Sequence, residues 1–160
     1  MWTNDLRSTI DKPYPKRFDV ALNAVVRTVH RTRPDLSLRC LAIVDAVLIS
    51  GGSIGTASEV APRIGLQNRF ELRRLLQREG LPGLHVLAEW ASVLTWLERA
   101  ESTGCSLCHL AFRAHKDPAT CYRTVKRITG LHWLEVRQRG FGWTIQRFIG
   151  QAVGVCNHRA

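Results

Sequence analysis

Two segments of this chain, fifty residues apart, repeat one arrangement of small, turn-forming and apolar residues, and that repeat limits the fold more than any other feature. Val60-Ala61, Gly65 and Leu72/Leu75/Leu76 form the first set; Leu110-Ala111, His115 and Tyr122/Val125 form the second. A helix-turn-helix needs a small residue where its helices cross, a residue that tolerates positive φ in the turn, and apolar anchors on the second helix. Each set supplies all three. Between them Val86, Leu87, Trp90, Val93, Leu94 and Leu97 recur at spacings of three and four, the period of one long helix.

The remaining segments extend the helical pattern. Val20, Ala21, Ala24, Val25 and Val29 predict a helix from Asp19 to His30 that Pro34 ends. Asp35 or Ser37 caps a second helix to about Ser50, whose apolar residues Leu38, Leu41, Ile43, Val44, Val47 and Leu48 cover most of its circumference. It belongs in the core, carries Arg39 and Asp45, and is shorter than the roughly 20 residues that cross a bilayer. Thr56-x-x-Glu59 is a capping box for a short helix ending at Gly65. Pro62 inside it removes a backbone bond, at a cost of about 3 kcal/mol if unrelieved, so a kinked or shortened helix is expected. Asn68 caps the helix Arg69 to Glu79, and Gly80 stops it. The long helix follows Pro82-Gly83 and gives way to the polar run Glu101-Ser102-Thr103-Gly104. Ser106 caps the next short helix, His115-Lys116 turn, and Asp117-Pro118 starts a helix that ends at Gly130. Trp133, Leu134, Val136, Phe141, Trp143, Ile145 and Phe148 read as one or two closing helices before a loose tail.

No strand pairing emerges, so the expected fold is all-α: two helix-turn-helix subdomains joined by a linker helix, with an extra N-terminal helix. The boundaries are 1–34 for the N-terminal extension, 35–84 for the first unit, 85–104 for the linker helix and loop, 105–140 for the second unit and 141–160 for a C-terminal tail.

Charge narrows the partner. Lys and Arg number 23 against 13 Asp and Glu, a net charge of +10, which favours a polyanion through counterion release. Nucleic acid fits better than a membrane, because no Lys/Arg-rich amphipathic helix with a clean apolar face is present. Met1-Trp2-Thr3-Asn4-Asp5 has an early acid and no apolar run, so no secretory signal is read and a cytoplasmic, nucleoid-associated location is expected. Five cysteines at irregular spacing, Cys40, Cys105, Cys108, Cys121 and Cys156, read as reduced thiols. Cys105-x-x-Cys108-His109, with His115 and Cys121, has spacing that suits a tetrahedral metal or a thiol sensor. Cys108 beside Leu107 suits a packed helix face, however, and Cys105 merely precedes a cap. Neither metal nor cofactor is expected. His30, His85, His132 and His158 have no carboxylate or serine partner at informative spacing, and no phosphate-binding loop or dinucleotide fingerprint occurs. The chain does not read as an enzyme.

Leu110-Ala111-Phe112-Arg113-Ala114, followed by Asp117, Thr120, Tyr122, Lys126-Arg127 and Gly130, resembles the DNA-binding domain of AraC/XylS-type transcription regulators, from about Leu36 to Arg137. That family's turn normally has glycine and an aromatic where this chain has His115 and Lys116, so a rebuilt second turn is expected. The first unit has one extra residue between Gly65 and Leu72, and the polar stretch before Ser106 is longer than the family's connection. The resemblance implies a regulator that contacts two neighbouring major-groove segments of double-stranded DNA. With only about 35 residues before it, the chain is similar to the short stand-alone members, which act as monomers and can contact RNA polymerase.

Opposite Leu72/Leu75/Leu76 the helical wheel places Phe70, Arg74 and Gln77, flanked by Arg69, Arg73 and Arg78, with Asn68 at the helix start. The resemblance favours Phe70, Arg73 and Arg74 as base readers; Arg forks to guanine and an outward Phe touches a thymine methyl. In the second unit the wheel presents Thr120, Arg123, Thr124 and Arg127, with Lys116 and Lys126 beside them, as mixed base and phosphate contacts. Phe70 equally suits a core aromatic, and burial decides between the two. Two other readings remain open: a protein-interaction module on the same fold that has lost base reading, and a non-specific nucleic-acid binder.

Overall fold

The computed structural model describes residues 17–154; the readings of Met1–Asp5, Cys156 and His158 lie outside them. The chain forms helices α1 (Arg17–Thr32), α2 (Leu38–Ile49), α3 (Ala57–Arg63), α4 (Arg69–Arg78), α5 (Leu84–Thr103), α6 (Leu107–Arg113), α7 (Pro118–Thr129) and α8 (Trp133–Phe148), then a π-helical turn, Ile149–Val153. No strand occurs among the described residues, so the fold is all-α. None of the described helices is long and apolar enough to cross a membrane.

Local chemistry sets the starts of these helices. The side chains of Ser37, Asn68, Ser106 and Asp117 each accept a backbone N–H from the first turn that follows, satisfying donors with no partner inside the helix. At α3 the Glu59 carboxylate accepts the Thr56 N–H at 2.6 Å and the Thr56 hydroxyl at 3.0 Å. The helices α3 and α6 start fifty residues apart and are each seven residues long. Pro62 therefore does not shorten its helix. It sits in the last turn, exposed, where a single lost amide bond leaves the fold of α3 through Arg63 intact.

The turns after α3 and α6 are built alike. In the first, Gly65 takes φ +76, and the N–H groups of Ile64 and Leu66 both reach back to the Ala61 carbonyl. In the second, His115 takes φ +52, and Ala114 and Lys116 reach back to the Ala111 carbonyl in the same way. The expected rebuilding of the second turn is thus confined to the side chain: His115, the only described non-glycine residue with positive φ, adopts the glycine conformation. That geometry costs a β-carbon-bearing residue roughly 1–2 kcal/mol. A Cβ at Gly65 meets nothing closer than a flexible Arg39 nitrogen at 3.9 Å, so Gly65→Ala isolates the backbone term. Chemical denaturation is expected to show a loss of about 1 kcal/mol for Gly65→Ala and a gain of several tenths for His115→Gly, the smaller because glycine also loosens the unfolded chain.

The two units share one central helix. α5 buries Leu87, Trp90, Ala91 and Leu94 with α1–α4 in one hydrophobic cluster, and Val93, Trp96, Leu97 and Ala100 with α6–α8 in the other. It is a common core element rather than a linker. Glu101–Thr103, read as a polar loop, continue it for another turn; it stops at Gly104 (φ +72), leaving a short connection to the Ser106 cap. The segment after 140, assigned to a tail, is helical as far as Val153. Gly140 (φ +86) breaks α8, and the chain beyond it returns to the first unit, burying Phe148, Ala152 and Val153 there. Phe148 lies 5.7 Å from the Trp90 ring between centroids. Phe148 and Val153, buried among apolar neighbours, contribute about 1.5–3 kcal/mol each and hold this segment against the first unit.

Tyr122 is not a core anchor. It is 41% exposed, whereas its neighbour Cys121 is buried with Val125 against α5 and α6. The cap before α4, Asn68, and the cap before α7, Asp117, are forty-nine residues apart, one fewer than the helices preceding them. The single extra residue in the first unit therefore shifts the helical phase, so that Leu72 corresponds to Cys121.

Candidate nucleic-acid interface

The second helix of each pair is pinned by its apolar face and presents the opposite one to solvent. Leu72, Leu75 and Leu76 are buried, so Arg69, Phe70, Arg73, Arg74, Gln77 and Arg78 of α4 are all exposed. Phe70 is 55% exposed, which removes the core-aromatic reading; the Arg69 guanidinium lies 4.9 Å from its ring centroid. Arg69, Arg73, Arg74 and Arg78 have no carboxylate within ion-pair distance among the described residues. Asn68 differs from them: its side-chain oxygen is occupied by the N–H groups of Phe70 and Glu71 at 3.0 and 3.1 Å, so it fixes the helix start. Glu71 accepts the Gln67 N–H at 2.8 Å and sits on the helix's first turn, where a negative charge suits the helix dipole.

The equivalent cations on α7 are held within the protein. Both terminal nitrogens of Arg127 bond the two oxygens of Glu89 on α5, a fork that raises the pKa of the guanidinium further. Arg123 donates to the Thr120 hydroxyl at 3.1 Å, and that hydroxyl donates to Asp117 at 2.7 Å. These bonds from Thr120, with the cap, hold the Asp117 carboxyl below the usual carboxylate range. Lys126 meets His132 Nε2 at 2.7 Å, and the Lys116 ammonium lies 5.6 Å from the Trp96 ring centroid. Thr124 is half-buried, lining a groove with Lys116 and Thr120. The expected contact residues of the second unit therefore lie at the surface apart from Thr124, but in an internal network that those of the first unit lack.

Glu89 is the residue the sequence reading missed. The structure pairs it with His85 four residues earlier, at 3.1 Å, so the expectation that this histidine lacks a carboxylate partner at informative spacing does not hold. Arg39 of α2 was likewise unassigned; it lines a polar groove of about 690 Å³ with Arg74, Gln77 and Arg78.

Four of the five cysteines lie among the described residues, all as free thiols. Cys40 is buried and its thiol is pushed up to about 11, first by desolvation and then by its hydrogen bond to Glu79. Burial also raises Cys121. Cys105 and Cys108 are half-buried, and no group of three or more His, Cys, Asp or Glu among the described residues is placed to hold a metal ion. No family model, curated protein or solved structure matches this chain.

Proposed function

We propose that this protein is a sequence-specific double-stranded DNA-binding transcription regulator that uses α3–α4 and α6–α7 as tandem helix-turn-helix units, in the manner of the AraC/XylS-type regulators its sequence resembles. The carrying observation is the α4 surface: four arginines with no carboxylate partner among the described residues, with outward Phe70 and Gln77, on a rigid helix of a chain of charge +10. With α4 in a major groove, Arg73 and Arg74 reach guanine edges, Phe70 meets a thymine methyl, and Arg69, Arg78 and Arg39 sit beside phosphates. Helix α7 occupies a neighbouring segment and adds mixed base and phosphate contacts, weakened by the bonds its cations make inside the protein. A promoter or operator is the target, RNA polymerase a partner at it, and the cytoplasmic nucleoid the place of action.

The experiment is fluorescence anisotropy on duplex DNA, with sites drawn from random duplexes by repeated selection. One asymmetric enriched site, bound with an affinity that falls steeply with salt, is the expected result for a monomer using both units. Arg74→Ala is expected to relax preference at one base pair by about 1–3 kcal/mol. No duplex binding at low salt overturns the proposal and leaves the protein-interaction reading; equal affinity for unrelated duplexes leaves non-specific binding.

A further inference from the structure

Between α4, the start of α5 and the loop before α3 lies a cavity of about 750 Å³, a size typical of small-molecule sites. Leu72, Leu76, Leu84 and Ala88 give it an apolar lining, and Phe70 forms an exposed aromatic wall. The opposite wall has little side chain. Gly52 and Gly55 build it with φ +86 and +95, and a Cβ at Gly52 would come within 2.2 Å of the Ala88 carbonyl oxygen, so the loop lies directly on α5 and the space in front of it stays open. The charged residues lining the cavity are Arg69 and Arg73, with His85 as its titratable neighbour; no Asp or Glu lines it. An apolar floor with two arginines on its rim, the Glu59 carboxylate being tied to Thr56 behind the glycine wall, matches a ligand with an apolar and an anionic half. Arg127 and Glu89 stand apart, across the smaller adjoining groove that shares Gly52, His85 and Ala88 with this cavity.

We propose that this cavity binds a small amphipathic organic anion, a carboxylate or sulfonate on a flat apolar body, with the anionic group on Arg73 and Arg69 and the ring against Phe70 and Leu76. Such a ligand covers the exposed Phe70 face and places two hydrogen bonds on an arginine fork. The site stands on its own geometry and does not depend on DNA binding.

The test uses 1-naphthoate as the probe, titrated without DNA into ¹⁵N-labelled full-length protein, with neutral 1-naphthamide as its isostere. Saturable amide shifts confined to Gly52, Gly55, Thr56, Phe70, Leu84 and neighbours are expected, with naphthoate at least tenfold tighter than naphthamide. Arg73→Gln is expected to erase that difference while leaving the unbound spectrum otherwise unchanged, and Arg123→Gln, outside the cavity, to preserve it. Shifts scattered over all the basic surfaces, equal binding of the two probes, an Arg73→Gln protein that still prefers naphthoate, or no saturable shift each overturn the site. Failure here leaves duplex binding untouched, and failure of duplex binding leaves this titration unchanged, so the two readings fall separately.

Discussion

Arg33→Met is expected to lower the unfolding free energy by about 3 kcal/mol and the Tm by roughly 6–12 °C, measured by urea and thermal denaturation. Arg33 follows α1, and its side chain is only 7% exposed. Its guanidinium donates to the Val153 carbonyl at 2.5 Å, to the Glu79 carbonyl at 2.7 Å and to the Asp35 carboxylate at 2.9 Å. One side chain thereby joins the end of α1, the end of α4 and the π-helical turn that ends the described chain. Methionine fills much of the same volume but leaves the buried Val153 carbonyl and the half-buried Glu79 carbonyl without their donor, and an unpaired buried group costs about 1–3 kcal/mol. Asp35 is half-exposed and water can replace its partner, so Asp35→Asn is expected to cost about 1 kcal/mol at most. An unchanged unfolding midpoint for the Arg33→Met protein would show that this clamp does not stabilise the fold. The same corner holds Glu79. Desolvation pushes its carboxyl up, but the Ser37 N–H, the Cys40 thiol and the Arg33 charge outweigh that and leave it below its usual range. A depressed carboxyl contributes stability above its unfolded pKa and loses it as pH falls through the folded one, so this corner weakens in acid.

What was legible in the sequence was local. Ser37, Asn68, Ser106 and Asp117 could be read as caps because a cap satisfies donors within three residues of itself. Gly65 and His115 could be read as turns for the same reason. What was not legible depended on distant parts of the chain. Glu101–Thr103 are polar enough for a loop, yet Glu101 Oε1 accepts the Phe141 N–H at 2.9 Å beside the break at Gly140, a contact forty residues away. The chain past Gly140 carries apolar residues at helical spacing, but nothing local says that Phe148 and Val153 return to the first cluster. Tyr122 was misassigned by one position: the extra residue before Asn68 was visible, and carrying it through the second unit moves the anchor to Cys121, about 100° around the helix. Glu89 was invisible for a different reason. A carboxylate on an amphipathic helix reads as a solvated face until the partner, Arg127, is placed thirty-eight residues away.

The difference between the two exposed helices sets the second large effect. Arg73→Gln with Arg74→Gln removes two cations that make no internal ion pair among the described residues, so their charge is spent on the partner alone. Affinity for a selected duplex is expected to fall roughly 10²-fold, and base preference to relax at the positions that the two arginines read. Arg123→Gln with Lys126→Gln removes the same charge from α7, but one cation is bonded to Thr120 near Asp117 and the other to His132, so the loss is expected to stay within about threefold. Glu89→Gln runs the other way. With the carboxylate neutralised, Arg127, already 54% exposed, is released toward phosphate, and affinity is expected to rise with a slope steeper by about one. Adding Arg127→Gln to that variant should cancel the gain, because the released guanidinium is the group that reaches phosphate. Equal losses from the α4 and α7 pairs would show that the internal network on α7 opens at no cost, and the two helices would then have to be treated as equivalent readers.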